Sequence, residues 1–151
     1  MMGRWLNIPP VWLALALVIA YFQARYVHFG LSLSHPITDM MAGLSIGAGV
    51  LLMVLAVIEM RRHHTTVIPH READHLVTTG VFKWTRNPIY LGDALVLFGF
   101  ILHWDAVLSL AILPIFIMAI DYGFIVQEED RLRRKFRSDF ERYMRDTRRW
   151  I

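Results

Sequence analysis

The sequence predicts an all-α integral membrane protein: four transmembrane helices, an ordered cytosolic loop and a C-terminal amphipathic helix lying in the membrane interface. Three observations carry this. Hydrophobic residues make up 56% of the 151 and mean hydropathy is +0.41, above the usual soluble range. The apolar residues gather in four runs, Ile8 to Val27, Ile37 to Met60, Ile89 to Leu102 and Val107 to Val126. Apart from Arg4 and Arg25, every Lys and Arg lies between runs two and three or after run four.

The first, second and fourth runs are long enough to cross roughly 30 Å of hydrocarbon at about 1.5 Å per residue. The first is long for a signal peptide, is preceded only by Arg4, and ends in Phe22-Gln23-Ala24-Arg25 instead of a small-residue cleavage site. A loop with Gly30, Ser32, Ser34 and Pro36 leads to the second run, whose Gly43, Ser45, Gly47 and Gly49 let another helix approach closely. The same glycines would suit a homodimer. Asp39 and Glu59 sit near its ends, where a charge reaches water. The third run is short, with Trp104 placed to anchor its end at the headgroup level.

By the positive-inside rule the central loop and the C-terminal tail are cytoplasmic, so both termini are inside. The net charge of +3 is then a topology and membrane-surface signal and not a nucleic-acid footprint. The length allows one domain, 1–151, with two helices in 1–60 and the loop, a helical hairpin and the C-terminal helix in 61–151.

From Arg61 to Pro88 the chain is polar and irregular. Thr65 to Pro69 and Leu76 to Gly80 suit short extended pieces, the second closing on a turn at Gly80. A loop this long in a small domain is usually functional, and its Val, Leu, Phe82 and Trp84 argue for order. His63, His64, His70 and His75 lack ligand spacing and a completing carboxylate or thiolate, so no metal is expected. The absence of cysteine excludes disulfides, thiolate metal sites and a cysteine nucleophile.

Pro88 suits the first turn of helix three, with Asn87 extended before it. The unpaired N–H groups of the helix start then face the loop as a receptor for an anion or carboxylate. Asp93, a turn further in, either pairs with Arg86 or a neighbouring helix or serves a ligand, and Asp121 and Tyr122 leave the same choice open. After Gln127, Leu132, Phe136, Phe140, Tyr143 and Met144 recur at spacings of three to four with basic residues around them. That pattern predicts an amphipathic helix in the interface with Glu128 and Glu129 at its start, where the helix dipole favours acid.

An antiparallel hairpin returns Glu128 and Glu129 to the membrane face that carries Arg86, Asn87 and Tyr90. Polar groups at the edges of membrane helices are costly unless they bind something. The constellation suits a zwitterionic, partly aromatic cofactor. No P-loop, GxGxxG fingerprint or nucleophile–base pair is present.

Leu76-Val77-Thr78-Thr79-Gly80-Val81-Phe82, then Arg86-Asn87-Pro88-Ile89-Tyr90-Leu91-Gly92, then Glu128-Glu129, resemble the signature of the isoprenylcysteine carboxyl methyltransferase and phospholipid methyltransferase group of integral membrane enzymes. The tail through Phe136, Tyr143 and Arg148-Arg149-Trp150-Ile151 is similar to short bacterial members, which implies a bacterial inner membrane. The resemblance implies S-adenosylmethionine as methyl donor. Its cofactor set, carried over by position, is Asp74, His75, Leu76, Val77, Gly80, Phe82, Arg86, Asn87, Pro88, Ile89, Tyr90, Glu128 and Glu129. Asn87 to Tyr90 would hold the amino-acid end and Glu128 would be the matching carboxylate, while Arg86 and Gly92 complete the motif. Asn87, Tyr90 and Glu128 would position the reactants.

Two positions depart from the eukaryotic pattern. Asn87 stands where those enzymes have a histidine, and an amide cannot act as a base near neutral pH. Phe124 stands where they have the arginine that holds a substrate carboxylate, which points to a more apolar acceptor contacting Phe124. With no evident base, an acceptor that is already nucleophilic is favoured. The reaction implied is methyl transfer to a lipophilic or membrane-associated small molecule. The alternatives are a nicotinamide-dependent membrane reductase of related architecture, kept open by Arg61, Arg62 and Arg71, and a non-catalytic membrane scaffold.

Overall fold

The structure, a computed structural model, describes residues 8–27, 29–65 and 75–151. Its elements are α1 (Pro9–Tyr26), α2 (Pro36–Arg62), a 3-10 turn (Gly80–Lys83), α3 (Pro88–His103) and a second 3-10 turn (Val107–Ala111). That turn runs into α4 (Ile112–Ile120), a π-helical turn (Asp121–Ile125) and α5 (Val126–Asp146) without a break. No strand occurs among the described residues. Each of the four apolar runs is helical. α2 and the continuous stretch Val107–Asp146 are long and apolar enough to cross a membrane, whereas α3 is a shorter apolar helix.

Proline opens α1, α2 and α3, where its fixed φ suits the first turn and its missing N–H costs nothing. At the start of α2, His35 Nδ1 accepts a hydrogen bond from the Ile37 N–H at 3.2 Å, satisfying one of the orphan donors of the helix.

The close approach of α2 and α3 rests on two glycines. A Cβ on Gly92 would lie 2.7 Å from the Gly49 carbonyl oxygen, and one on Gly49 would lie 2.6 Å from the Gly92 oxygen. Ser45 Oγ reinforces the contact by donating to the Leu95 carbonyl at 2.8 Å. Gly43 and Gly47 face open space instead.

Two cores result. Ala16 and Ala20 of α1 pack with Tyr90, Ala94, Leu97 and Ile101 of α3 and with Phe116, Ile120, Phe124 and Ile125. A second core, Ala56, Val77, Val81, Phe82, Phe140 and Tyr143, pins the loop between α2 and α5. At the far end, Asp105 accepts from Ser32 Oγ and from the Leu33 N–H, and Gln23 Oε1 accepts from both the N–H and Oγ of Ser109.

Three expectations are corrected. Leu76 to Thr79 form no regular element, and Gly80, at φ +58°, opens a 3-10 turn against Glu59; of Thr65 to Pro69 only Thr65 is described. Glu128 and Glu129 do not begin a helix. They lie inside the helical stretch that continues from α4, so no helix-start dipole acts on them. Finally, Leu132, Phe136, Phe140, Tyr143 and Met144 of α5, expected to face the membrane interface, pack into the second core instead, and Arg137, at φ 43° and ψ −114°, kinks the helix between two pieces.

Candidate functional site

The loop after the 3-10 turn and the C-terminal tail are tied together by backbone acceptors. The Arg86 N–H donates to the Arg148 carbonyl at 3.0 Å, Thr85 Oγ1 to the Arg149 carbonyl at 3.1 Å, and Asn87 Nδ2 to the same carbonyl at 3.0 Å. Asn87 lies at φ −128° and ψ 59°, not in the extended conformation expected before a proline, because its N–H turns back to Thr85 Oγ1 at 3.1 Å.

Arg86 then reaches into the junction. Its Nη1 donates to the carbonyls of Met144 and Thr147 at 3.2 and 2.6 Å. Its Nε and Nη2 donate to Glu129 Oε1 at 3.3 and 2.9 Å. Arg149 approaches Glu129 from the other side, Nε to Oε1 at 3.1 Å and Nη2 to Oε2 at 2.6 Å, and its Nη1 holds both oxygens of Asp121. Arg86, Arg149, Glu129 and Asp121 thus form a charge-balanced cluster. Glu129 lies beyond the apolar run that ends at Val126. Burial opposes its charge, but the hydrogen bonds and charges of Arg149 and Arg86 outweigh burial and hold the carboxyl below its ordinary range.

Glu128, one residue earlier, points elsewhere: its Oε2 accepts from Tyr90 OH at 3.1 Å. On the loop side, Tyr143 OH donates to the Phe82 carbonyl at 2.7 Å, which ties the 3-10 turn carrying Phe82 to α5.

Two cavities open here and share the walls Met60, Phe82, Arg86, Asn87 and Glu128. The polar one, about 90 Å³, is completed by Thr65, His75, Leu76, Val77, Glu129, Leu132, Phe140 and Tyr143. The second, about 260 Å³ and largely apolar, is completed by Ile8, Pro9, Pro10, Met53, Pro88, Ile89, Tyr90 and Asp93. Thr65 Oγ1 is buried on the more polar cavity with no hydrogen-bond partner among the described residues, a donor and acceptor facing whatever enters.

The structure thus brings together His75, Leu76, Val77, Phe82, Arg86, Asn87, Glu128 and Glu129 on one cavity, and Pro88, Ile89 and Tyr90 on its neighbour. Asp74 lies outside the described residues. Gly80 lines neither cavity; it meets Glu59, whose carboxylate accepts from Thr79 Oγ1. Phe124 is buried in the core with Tyr90 and Leu97 and lines neither cavity. Asp93 does not pair with Arg86, whose donors are taken by Glu129 and the tail carbonyls. Sequence reasoning missed Arg149, Thr85, Thr65, Met53 and Met60. Arg149 is placed by the fold of the tail, and Thr85 by a hydroxyl that donates to the Arg149 carbonyl, neither of which leaves a pattern in a sequence. Met53 and Met60 in α2 and Thr65 just beyond it are indistinguishable from ordinary packing.

The profile of the phospholipid methyltransferase family matches residues 37–139. The chain belongs to the phospholipid methyltransferase family. The match runs from the start of α2 into α5 and includes the RNPxYxG segment, both acidic residues and most of the cavity walls. No curated protein and no solved structure matches the chain. Membership in a methyltransferase family agrees with the apolar helices, and with polar groups concentrated where the third and fifth helices meet the loop.

Proposed function

We propose that this member of the phospholipid methyltransferase family transfers a methyl group from S-adenosylmethionine to a lipophilic or membrane-associated small molecule at the cytosolic membrane face. The observation that carries the proposal is the pair of adjoining cavities, one more polar than the other, that share the walls Met60, Phe82, Arg86, Asn87 and Glu128. Methyl transfer requires two substrates of unlike polarity to be brought into contact, and adjoining cavities of this kind suit that.

The residues present fit the donor. It would bring an activated methyl on a sulfonium, beside an ammonium and a carboxylate. Glu128 offers negative charge to the two cationic groups. Thr65 Oγ1 offers a hydrogen bond now unmet. His75, Leu76, Val77 and Phe82 supply apolar and aromatic walls. Tyr90 restrains the Glu128 carboxylate, and the Arg86–Glu129–Arg149 cluster fixes the wall behind it. Holding two reactants in register is itself a large source of acceleration when the donor is already activated.

In this reading the chain is a single domain whose four helices cross a bacterial inner membrane with both termini in the cytoplasm. The apolar face of α5 is taken by the second core, so the helix would meet the lipid surface with its basic residues, and the acceptor would enter laterally. Gly43 and Gly47, open on the surface of α2, would serve a homodimer.

The test is calorimetric titration of S-adenosylmethionine and S-adenosylhomocysteine into the detergent-purified protein and a Glu128→Ala variant. Saturable binding, weakened about tenfold or more in the variant, is expected. A folded sample that binds neither ligand would refute the proposal.

A further inference from the structure

Among the described polar residues that line the apolar cavity, Asp93 is the one whose side chain makes no hydrogen bond. It is 5% exposed, lies in α3, and lines the 260 Å³ cavity but not the polar one. Its carboxylate makes no hydrogen bond or ion pair among the described residues. Arg86, which lines the same cavity, is committed to Glu129 and to the carbonyls of Met144 and Thr147. Among the described residues only Thr65 Oγ1 is both sealed from solvent and unpaired, so the Asp93 carboxylate opens into the cavity that it lines and is offered to whatever enters. In a membrane helix such a residue marks a ligand path by default.

Its placement says what it faces. Tyr90 and Asp93 are one turn apart on the same face of α3, and both border this cavity. Tyr90 is held by Glu128 at the junction with the polar cavity. Asp93 is therefore set one turn back from the junction, among Pro9, Pro10 and Met53. The head of an amphiphile lying in the cavity would meet it, while the tail would run along apolar walls.

We propose that Asp93 reads the head group of the acceptor. The cavity takes an amphiphile carrying an N–H or O–H donor next to the boundary with the polar cavity, and turns away a carboxylate head. The proposal rests on the methyltransferase reading only for naming the occupant an acceptor; the binding chemistry stands on the cavity alone. An N–H or O–H supplies the hydrogen bond the carboxylate lacks, and an ammonium supplies a counter-charge as well. An anion there would face Asp93 with Glu128 close by, and like charges in a desolvated site are strongly disfavoured. The acceptor class shifts accordingly, from one already nucleophilic to one with a proton to lose and a carboxylate beside it.

The test uses three probes of equal chain length, dodecylamine, 4-dodecylphenol and dodecanoate, titrated into the protein in a non-ionic detergent. The wild type is expected to bind dodecylamine, 4-dodecylphenol or both about tenfold or more tightly than dodecanoate. Asp93→Asn and Asp93→Leu should bring that ratio close to one, with S-adenosylmethionine affinity unchanged. Preference for the amine alone identifies a cationic head, and preference for the phenol a hydroxyl. The proposal is overturned if the wild type binds none of the probes, if it binds dodecanoate as tightly as the other two, or if both folded variants keep the wild-type ratio. Failure of the methyltransferase reading would appear separately, as absent binding of S-adenosylmethionine to the wild type.

Discussion

Replacing Glu129 by alanine should destabilise this protein more than any other single change near the cavities. Glu129 accepts Nε and Nη2 of Arg86 at 3.3 and 2.9 Å and Nε and Nη2 of Arg149 at 3.1 and 2.6 Å, with its side chain 8% exposed. Removing it leaves two guanidinium groups facing each other with only Asp121 to offset them. Breaking a buried ion pair from one side costs about 3–5 kcal/mol. Arg149 is about one-third exposed and can turn to solvent, so the lower half of that range applies. For a domain of this size, about 3–4 kcal/mol corresponds to a fall of roughly 6–16 °C in melting temperature. Thermal unfolding in detergent, followed by tryptophan fluorescence, reads this directly. Trp150, packed against the main core, would report release of the tail. Glu129→Gln should recover part of the loss by keeping one acceptor oxygen. If Glu129→Ala melts within about 2 °C of the wild type, corresponding to at most about 1 kcal/mol, the cluster does not hold the tail and the reasoning fails.

Two further outcomes follow from the same geometry. Gly92→Ala would place a Cβ 2.5 Å from Met53 Cγ and 2.7 Å from the Gly49 carbonyl oxygen. Met53 can swing but the backbone cannot, so a loss of about 1–3 kcal/mol is expected; Gly43→Ala, which meets open space, should be neutral or stabilising, and equal melting temperatures for the two variants would refute the argument. Acid should unfold the wild type in part through Glu129. Its folded-state carboxyl is held below the ordinary range, so the stabilisation is complete above the unfolded value of about 4.3 and is lost as pH falls through the lower, folded value. Melting temperatures measured from pH 7 to pH 3 should therefore converge for wild type and Glu129→Ala, and parallel curves would contradict this.

The helices were legible because the signals for them are local. Long apolar runs, Pro9, Pro36 and Pro88 at helix starts, and the return of Glu128 towards Tyr90 all follow from sequence order and helical rise. The site was legible only as far as its motif extends. What escaped depends on register across elements. Glu128 and Glu129 are neighbours in sequence, but successive residues of a helix point about 100° apart, so one turns to Tyr90 and the other to Arg86. No periodicity distinguishes those fates. The tail from Thr147 to Ile151 has no repeating pattern, and part of its contribution is through the carbonyls of Thr147, Arg148 and Arg149. Every residue type has such a carbonyl. Asp93 was visible as a carboxylate in an apolar run, but its lack of a partner becomes apparent only once the donors of Arg86 are seen to be spent elsewhere.

The acidic pair divides structure from chemistry. A carboxylate has about four acceptor positions. Those of Glu129 are engaged by two guanidinium groups, and its charge is matched within a cluster that also includes Asp121. A cation arriving in the polar cavity would gain little from it without first displacing an arginine. Glu128 stands on the wall common to both cavities and accepts from Tyr90 OH, which orients the carboxylate where a ligand would enter. In the proposed reading a cationic ligand at the junction meets Glu128, while Glu129 keeps the tail in place so that the junction exists. Substituting the first should change affinity with little change in melting temperature, and substituting the second should change both. That asymmetry between adjacent, chemically identical residues is what a shared solvated role for the pair would not produce.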